Sequence, residues 1–289
     1  VSVLPSNSPA FTMLSRLTSA MRLPRSDVRL AGGSGTARRL AVSALGIFSF
    51  FLLWHLAAAS GLVDRIMLPS PLEVFHSAAA IYETGELAQH IQASILRMAL
   101  GYAVGSALGI ALGVILGRIA FMEWFVGPVL QMARAIPPLA LVPLIIFWFG
   151  INEGAKVFLI AWATFFPVWI NTLLGVKGVN PLFVRAGQSL GAKRGTLLLR
   201  VVIPAALAPI FSGLRVALSI SFTVLVAAEL AGAIAGLGYF IQNSALSFRV
   251  DNIFVGIVVL AILGFIADTL FMALLYWLFP WYRAQQSGK

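Results

Sequence analysis

An all-α integral membrane protein with six transmembrane helices is the fold class the chain predicts, and three observations carry the prediction. Hydrophobic residues fill 60% of the 289 positions and charged residues only 10%, whereas about a quarter of a soluble domain is charged. Mean hydropathy is +0.95. The apolar residues gather in runs of about twenty, the length a helix needs to cross about 30 Å of hydrocarbon.

Six runs meet that length, at 40–60, 91–117, 124–149, 155–176, 205–231 and 253–279. Residues 1–39 are rich in Ser, Pro, Gly and Arg with no apolar period, so they read as a mobile basic tail. A secretory signal peptide is not expected, because the first apolar run starts far into the chain and is long enough to span. The run at 40–60 forms an additional N-terminal helix, 61–90 an extracytoplasmic loop and 91–282 the core domain.

The net charge of +10 raises the question of nucleic acid, but the basic residues sit in segments flanking the apolar runs, where membrane topology explains them. With the N-terminus in the cytoplasm, fourteen Lys and Arg fall inside, against Arg65, Lys156 and Arg249 outside. Both termini and the segment 177–200 are therefore expected in the cytoplasm. The chain has no Cys, which excludes disulfides, thiolate metal sites and a Cys nucleophile.

In the second run Gly101, Gly105, Gly109, Gly113 and Gly117 recur at every fourth position. Residues four apart share a helix face, and in lipid a bare stripe lets a neighbouring helix approach closely. A smooth sliding surface for a moving bundle is the functional alternative. The third run contains Pro128, Pro137, Pro138 and Pro143. Each removes a backbone donor, so this helix kinks or breaks, and the freed carbonyls must be buried in protein or line a wet path.

With Lys156 counted on the outer side, five charges remain inside the apolar runs. Helical rise places Arg97 and Glu229 near the outer boundary, and Arg134, Arg215 and Asp268 at a similar inner depth. Two layers follow: Arg97 with Glu229, and Asp268 with either Arg134 or Arg215. The remaining inner Arg either faces water and a passing anion or is satisfied by snorkelling or by broken-helix carbonyls.

Between the fourth and fifth runs lies a polar stretch with Arg185, Lys193, Arg194 and Arg200 and no acidic residue. Asn180 followed by Pro181 starts a helix, since the Asn side chain accepts from first-turn amides and Pro needs no N–H there. Gly191 stops it through a left-handed closing residue. Phe183, Gly187 and Leu190 share one face with Ala186 beside them, a face knobbed at its ends and bare in the middle. Two uses fit equally: insertion into a groove of a partner, or a plain amphipathic helix on the membrane surface.

Signatures of chemistry are missing. No G-x-x-x-x-G-K-[ST] phosphate loop occurs, His55, His76 and His90 are scattered, and no Ser, His and Asp set stands out. No catalytic, cofactor-binding or metal-ligating residue is expected in this chain. Phe147, Trp148, Phe149, Trp162, Phe165, Phe166 and Trp169 line a path or form an interfacial belt.

Asn180-Pro181, Arg185-Ala186-Gly187, Ser189-Leu190-Gly191-Ala192 and Ile203-Pro204 resemble the cytoplasmic EAA loop of permease subunits of binding-protein-dependent ABC importers. The run Ile136-Pro137-Pro138-Leu139-Ala140-Leu141-Val142-Pro143-Leu144, with Phe147-Trp148-Phe149-Gly150, Phe166-Pro167, Asn171-Thr172, Gly213-Leu214-Arg215 and Ala228-Glu229-Leu230, is similar to the aliphatic sulfonate, taurine and nitrate permease family. The match spans about 68–267. Arg185 stands where the family loop opens with Glu.

The resemblance implies a type I ABC importer permease fold with a cytoplasmic coupling helix at 180–191, a homodimer of permease copies in the bacterial inner membrane, two ATPase subunits and an extracytoplasmic solute-binding protein. ATP and Mg would be bound by the ATPase, and this chain would perform no covalent step. Phe183, Arg185, Ala186, Gly187, Ser189, Leu190, Gly191 and Ala192 would dock that ATPase. Arg97, Arg134, Pro137, Pro138, Arg215, Glu229 and Asp268 would line the path or hold intramembrane charge. The implied cargo is a small organic or inorganic anion such as an alkanesulfonate or taurine. An ion-gradient-driven secondary transporter and a membrane-embedded enzyme are the alternatives. The first calls for midplane carboxylates or inverted broken helices, the second for a cluster of catalytic polar groups.

Overall fold

The structure, a computed structural model, describes residues 34–61, 64 and 67–280. The expected tail over 1–33, Arg65, Arg283 and Lys289 lie outside the described residues. Two units divide the chain, 1–54 and 55–289. Helix α1 (Ser34–Ala59) makes up the described part of the first and ends in the second. It starts six residues before the expected boundary at 40, so 34–39 are helical and not part of a tail.

In the second unit the expected loop 61–90 holds a helix, α2 (Pro71–Glu83). Its start is a capping box. Ser70 Oγ accepts from Glu73 N at 3.3 Å, and the Glu73 carboxylate accepts from Ser70 N at 2.7 Å. Thirteen residues are too few to span. Helix α3 (Glu86–Arg118) follows after Gly85, whose φ of 77° makes the turn.

The third expected run is two pieces. Helix α4 (Ala120–Arg134) continues through Pro128, the chain turns at Pro137 into a 3-10 turn (Pro138–Leu141), and α5 (Val142–Phe149) leaves at 90° to α4. Adjacent prolines force the break, because Pro138 restricts Pro137 to an extended ψ, here 130°. Five described helices are therefore long and apolar enough to span, or six when this bent pair is counted as one span.

Helix α6 (Glu153–Lys177) is the centre of the unit, with Leu159, Ile160, Val168 and Trp169 nearly devoid of solvent contact. Asn152 caps it, accepting from Ala155 N at 2.9 Å. Then come α7 (Pro181–Ser189), α8 (Arg194–Leu197), one π turn (Leu198–Val202) and α9 (Ile203–Leu230). Helix α10 (Leu237–Leu246), which the apolar pattern does not announce, and α11 (Val250–Leu278) complete the described chain.

The glycine stripe of α3 faces α6 in the same subunit. A Cβ built on Gly101 would lie 2.6 Å from Ile160 Cβ, on Gly109 2.9 Å from Val168 Cβ, on Gly113 2.6 Å from Thr172 Cβ and on Gly117 2.7 Å from Val176 Cγ1. Gly105 meets Thr164. The partner row, Ile160, Thr164, Val168, Thr172 and Val176, repeats every four residues and is β-branched throughout, so each stiff side chain fills the space over one glycine. About 100° further round α6, Gly213 of α9 packs on Asn171 and the Pro167 carbonyl, while Gly175 of α6 itself packs on Pro209.

Gly109→Ala is expected to lower the melting temperature of the detergent-solubilised protein and Gly109→Leu to lower it further, by the equivalent of about 1 to 3 kcal/mol or more. An unchanged melting profile for Gly109→Leu contradicts the seam.

Candidate functional site

Arg97 and Glu229 are buried, at 4% and 0% exposure, and meet at 2.8 Å through Arg97 Nη1 and Glu229 Oε1. The same Nη1 donates to the Ala235 carbonyl at 2.6 Å. Arg97 also grips Glu153, with Nη2 donating to Oε1 at 2.9 Å and Nε to Oε2. Lys156 Nζ reaches Glu153 Oε1 at 2.8 Å. Two cations therefore balance two carboxylates, which removes most of the cost of burying charge.

The amides opening α10 belong to this cluster. Gly236 N donates to His90 Nδ1 at 3.1 Å, Leu237 N to Ser94 Oγ at 2.8 Å and Gly238 N to Glu229 Oε2 at 2.7 Å. Ser94 Oγ in turn donates to Glu229 Oε1 at 2.7 Å. Orphan N–H groups at a helix start are thus satisfied by side chains of α3 and α9. Gly236 has φ 124°, and a Cβ there would collide with the Glu229 carboxylate and lie 2.6 Å from Arg97 Nη1. The segment 231–236 is folded tightly over the ion pair. His90, Ser94, Glu153, Lys156, Gly236 and Gly238 were not singled out by sequence. Glu153 and Lys156 resemble ordinary first-turn residues, whereas the glycines after Glu229 were a usable signal of close backbone approach.

Between Arg134 and Arg215 the structure chooses the partner of Asp268. Arg215 Nε and Nη2 each reach an Asp268 oxygen at 2.8 Å, a bidentate pair. It is about half exposed. Arg134 makes no ion pair among the described residues. It borders a cavity of about 380 Å³ with Ile136, Trp162, Phe166, Asn171 and Ile220. Pro138 also lines it, whereas Pro137 does not. Pro167 lacks the N–H that Ala163 O would accept in a regular helix. Asn171 Nδ2 donates to the Pro167 carbonyl at 2.8 Å.

The short helix α7 is capped as the sequence dictates. Asn180 Oδ1 accepts from Leu182 N at 2.9 Å, with Pro181 in the first turn. Gly191 has φ 78°, Ala192 N donates to Gly187 O at 3.0 Å and Gly191 N to Gln188 O at 2.9 Å, the paired closure of a Schellman motif. One expectation is corrected. Gly187 does not form the bare middle of an outward face: a Cβ there would lie 2.5 Å from Leu197 Cδ2. Val184 also turns inward, onto the cluster of Val202 and Ala206. Leu182, Phe183 and Leu190 point out, at 65%, 58% and 87% exposure. A helix resting on its own chain must turn its small face inward to sit close. Arg185, Ala186 and Ser189 are exposed, and Ser189 Oγ bonds back to Arg185 O at 3.1 Å.

A helical membrane unit with a proline-broken bent pair and a short capped helix between two spans has the fold of type I ABC importer permeases. Solved structures share the fold. An amino acid ABC transporter aligns over 69% of this chain and 95% of its own, at 19% identity and TM-score 0.52, and the MetNI methionine ABC transporter gives TM-score 0.51 at 15% identity, over 65% and 95%. These likenesses speak for the fold alone. The chain belongs to the family described as binding-protein-dependent transport system inner membrane component, matched over residues 105–284. The aliphatic sulfonates transport permease protein SsuC of Bacillus subtilis is 36% identical over 81% of this chain and 85% of its own. The taurine transport system permease protein TauC of Escherichia coli is 35% identical over 86% and 93%. The protein is thus a multi-pass inner-membrane permease subunit of an ABC importer, and the secondary-transporter alternative falls.

Arg215→Gln is expected to strand Asp268 and lower the melting temperature, and adding Asp268→Asn to recover much of the loss. Arg134→Gln and Asp268→Asn should act additively. A double-mutant cycle on thermal stability separates the two cases, and coupling of Asp268 to Arg134 contradicts the pairing.

Proposed function

We propose that two copies of this chain form the translocation path of an importer in which partner ATPase subunits bind ATP and Mg and dock on α7. A solute-binding protein delivers a small anion of the sulfonate class from the other side. The observation that carries the reading is the two-sided character of α7. Its inner face, Gly187 and Val184, is seated on Leu197 and the Val202 cluster, while Leu182, Phe183 and Leu190 stand exposed beyond the last turn of α6. Exposed apolar side chains clustered at one end of a membrane protein mark a protein contact. The excess of Lys and Arg at 177–200 supports placing this end, with both termini, in the cytoplasm.

Mechanistically, ATP-driven closure of the ATPase pair would move α7. Because α7 is seated on the α8 to π-turn segment, that motion enters α9, whose face carries Arg215 and whose far end carries Glu229. The sulfonate class is supported by the two relatives named for sulfonates and taurine. The cation left at Arg134 supports it independently.

Phe183→Asp with Leu190→Asp should abolish co-purification of the ATPase at unchanged membrane insertion and melting temperature. Gly187→Leu should instead push α7 off Leu197 and lower stability itself, and Gly191→Val should uncouple hydrolysis from transport by straining the closing turn. Wild-type recovery of ATPase with the double Asp variant contradicts docking through this face.

A further inference from the structure

Around α7 the chain carries cations that its own residues do not answer. Between Glu153 and Glu229 the sequence has no Asp or Glu. Lys177 reaches Glu123 of α4. Arg185, Lys193, Arg194 and Arg200 are exposed and have no ion pair among the described residues. Lys193 and Arg194 also stand at the start of the helical run Arg194–Leu230, the positive end of its dipole, where cations are disfavoured. The fold itself therefore gains nothing from this charge.

Arg185 is the one charged residue of α7. Helical geometry puts it about 60° from Leu182 and about 160° from the seated Gly187, so it lies within the outward arc of the helix. A surface that covers Leu182 covers Arg185 as well, because residues three apart are neighbours on a helix.

We propose that α7 docks in an acidic groove of the ATPase, with an Asp or Glu facing Arg185, and that this charge selects the ATPase that the permease accepts. The inference rests on the docking reading above and adds the chemistry of the partner. A guanidinium taken out of water without a carboxylate loses its hydration with no return, and one that faces Lys or Arg is repelled. A facing carboxylate accepts two parallel hydrogen bonds from it. Lys193 and Arg194 follow the closing turn at Gly191 and extend the positive field past the end of α7, which steers an acidic surface during encounter. Specificity arises by exclusion, since an ATPase with a neutral or basic groove leaves Arg185 unanswered. Anionic lipid headgroups are the other source of negative charge at a membrane. A lipid surface would answer all four cations alike, whereas the lone charge beside Leu182 calls for one placed partner.

The test is recovery of the co-expressed ATPase through a tagged permease in lipid nanodiscs, from about 50 mM to about 500 mM salt. Arg185→Glu should weaken ATPase binding about a hundredfold or more and Arg185→Gln about tenfold, at unchanged permease yield. Arg185→Lys should lose least, since it keeps the charge and gives up only the fork. Each Asp and Glu of the ATPase is then replaced singly by Lys. One such change should restore assembly with Arg185→Glu and weaken it with the wild-type permease. Wild-type recovery with Arg185→Glu overturns the proposal, as does a loss that no ATPase substitution restores. A loss seen in phosphatidylglycerol nanodiscs and not in phosphatidylcholine ones also overturns it, because the partner of Arg185 is then a headgroup. Phe183→Ser with Leu190→Ser leaves the charge unchanged and separates the two readings. If this variant sheds the ATPase while Arg185→Glu keeps it, the acidic groove fails and docking through α7 stands. If both keep the ATPase, docking itself fails.

Discussion

The seam between α3 and α6 is the constraint on which the rest of this structure depends. Two helices in lipid gain nothing from hiding apolar surface from water, so their association relies on close packing. Five glycines on one helix and five β-branched residues on the other, both repeating every four residues, bring the backbones together along the length of α6. Because that contact fixes α3 against α6, it also fixes Arg97 of α3 against Glu153 of α6, which meet at one end of the same seam. Without the close approach Arg97 could not hold Glu153 and reach across to Glu229 of α9 as well.

Charge arrangement then separates structural from functional cations. At the Arg97 end every charge is answered, and the remaining acceptor capacity of Glu229 is taken by the Gly238 amide and the Ser94 hydroxyl. The cluster works as a fastening between three spans and a loop, with little exposed except the Glu153 carboxylate. The Arg215–Asp268 pair is different: a bidentate ion pair about half exposed at inner depth belongs against water or protein and not hydrocarbon. Arg134, with no partner charge, completes the series. Compensation decreases from Arg97 to Arg215 to Arg134, and of the three only Arg97 is buried.

What the sequence revealed and what it hid divide along the range of the interaction. The caps at Asn180 and Gly191, the glycine spacing and the Arg97–Glu229 layer are written in local spacing or in helical depth, and all are present in the geometry. The choice of Arg215 over Arg134 for Asp268 was not legible, because depth alone places both alike and only rotation about the helix axis separates them. Gly187 was misjudged for a related reason. A small residue on a short helix permits approach from a partner or from its own chain, and residue type does not say which. The capping box Ser70 to Glu73 is visible, but the helix it opens has only thirteen residues, so a search for spans passes over α2. The right-angle turn after Arg134 was anticipated only as a kink or break.

One feature has mechanical meaning beyond packing. From Arg194 to Leu230 the chain runs as 37 consecutive helical residues, roughly 55 Å at the usual rise, well beyond the thickness of the hydrocarbon. Leu197 near its start bears on Gly187, Arg215 near its middle holds α11, and Glu229 at its far end anchors the start of α10. A single lever therefore spans the bilayer, and displacement at one end arrives at the other without being handed across a helix interface. The π turn at Leu198–Val202 interrupts the regular ladder of hydrogen bonds near the start of this lever, where the chain passes under α7. On the coupling route proposed above, removing that turn by one deletion would change how much displacement reaches the Glu229 end, leaving every static contact there intact.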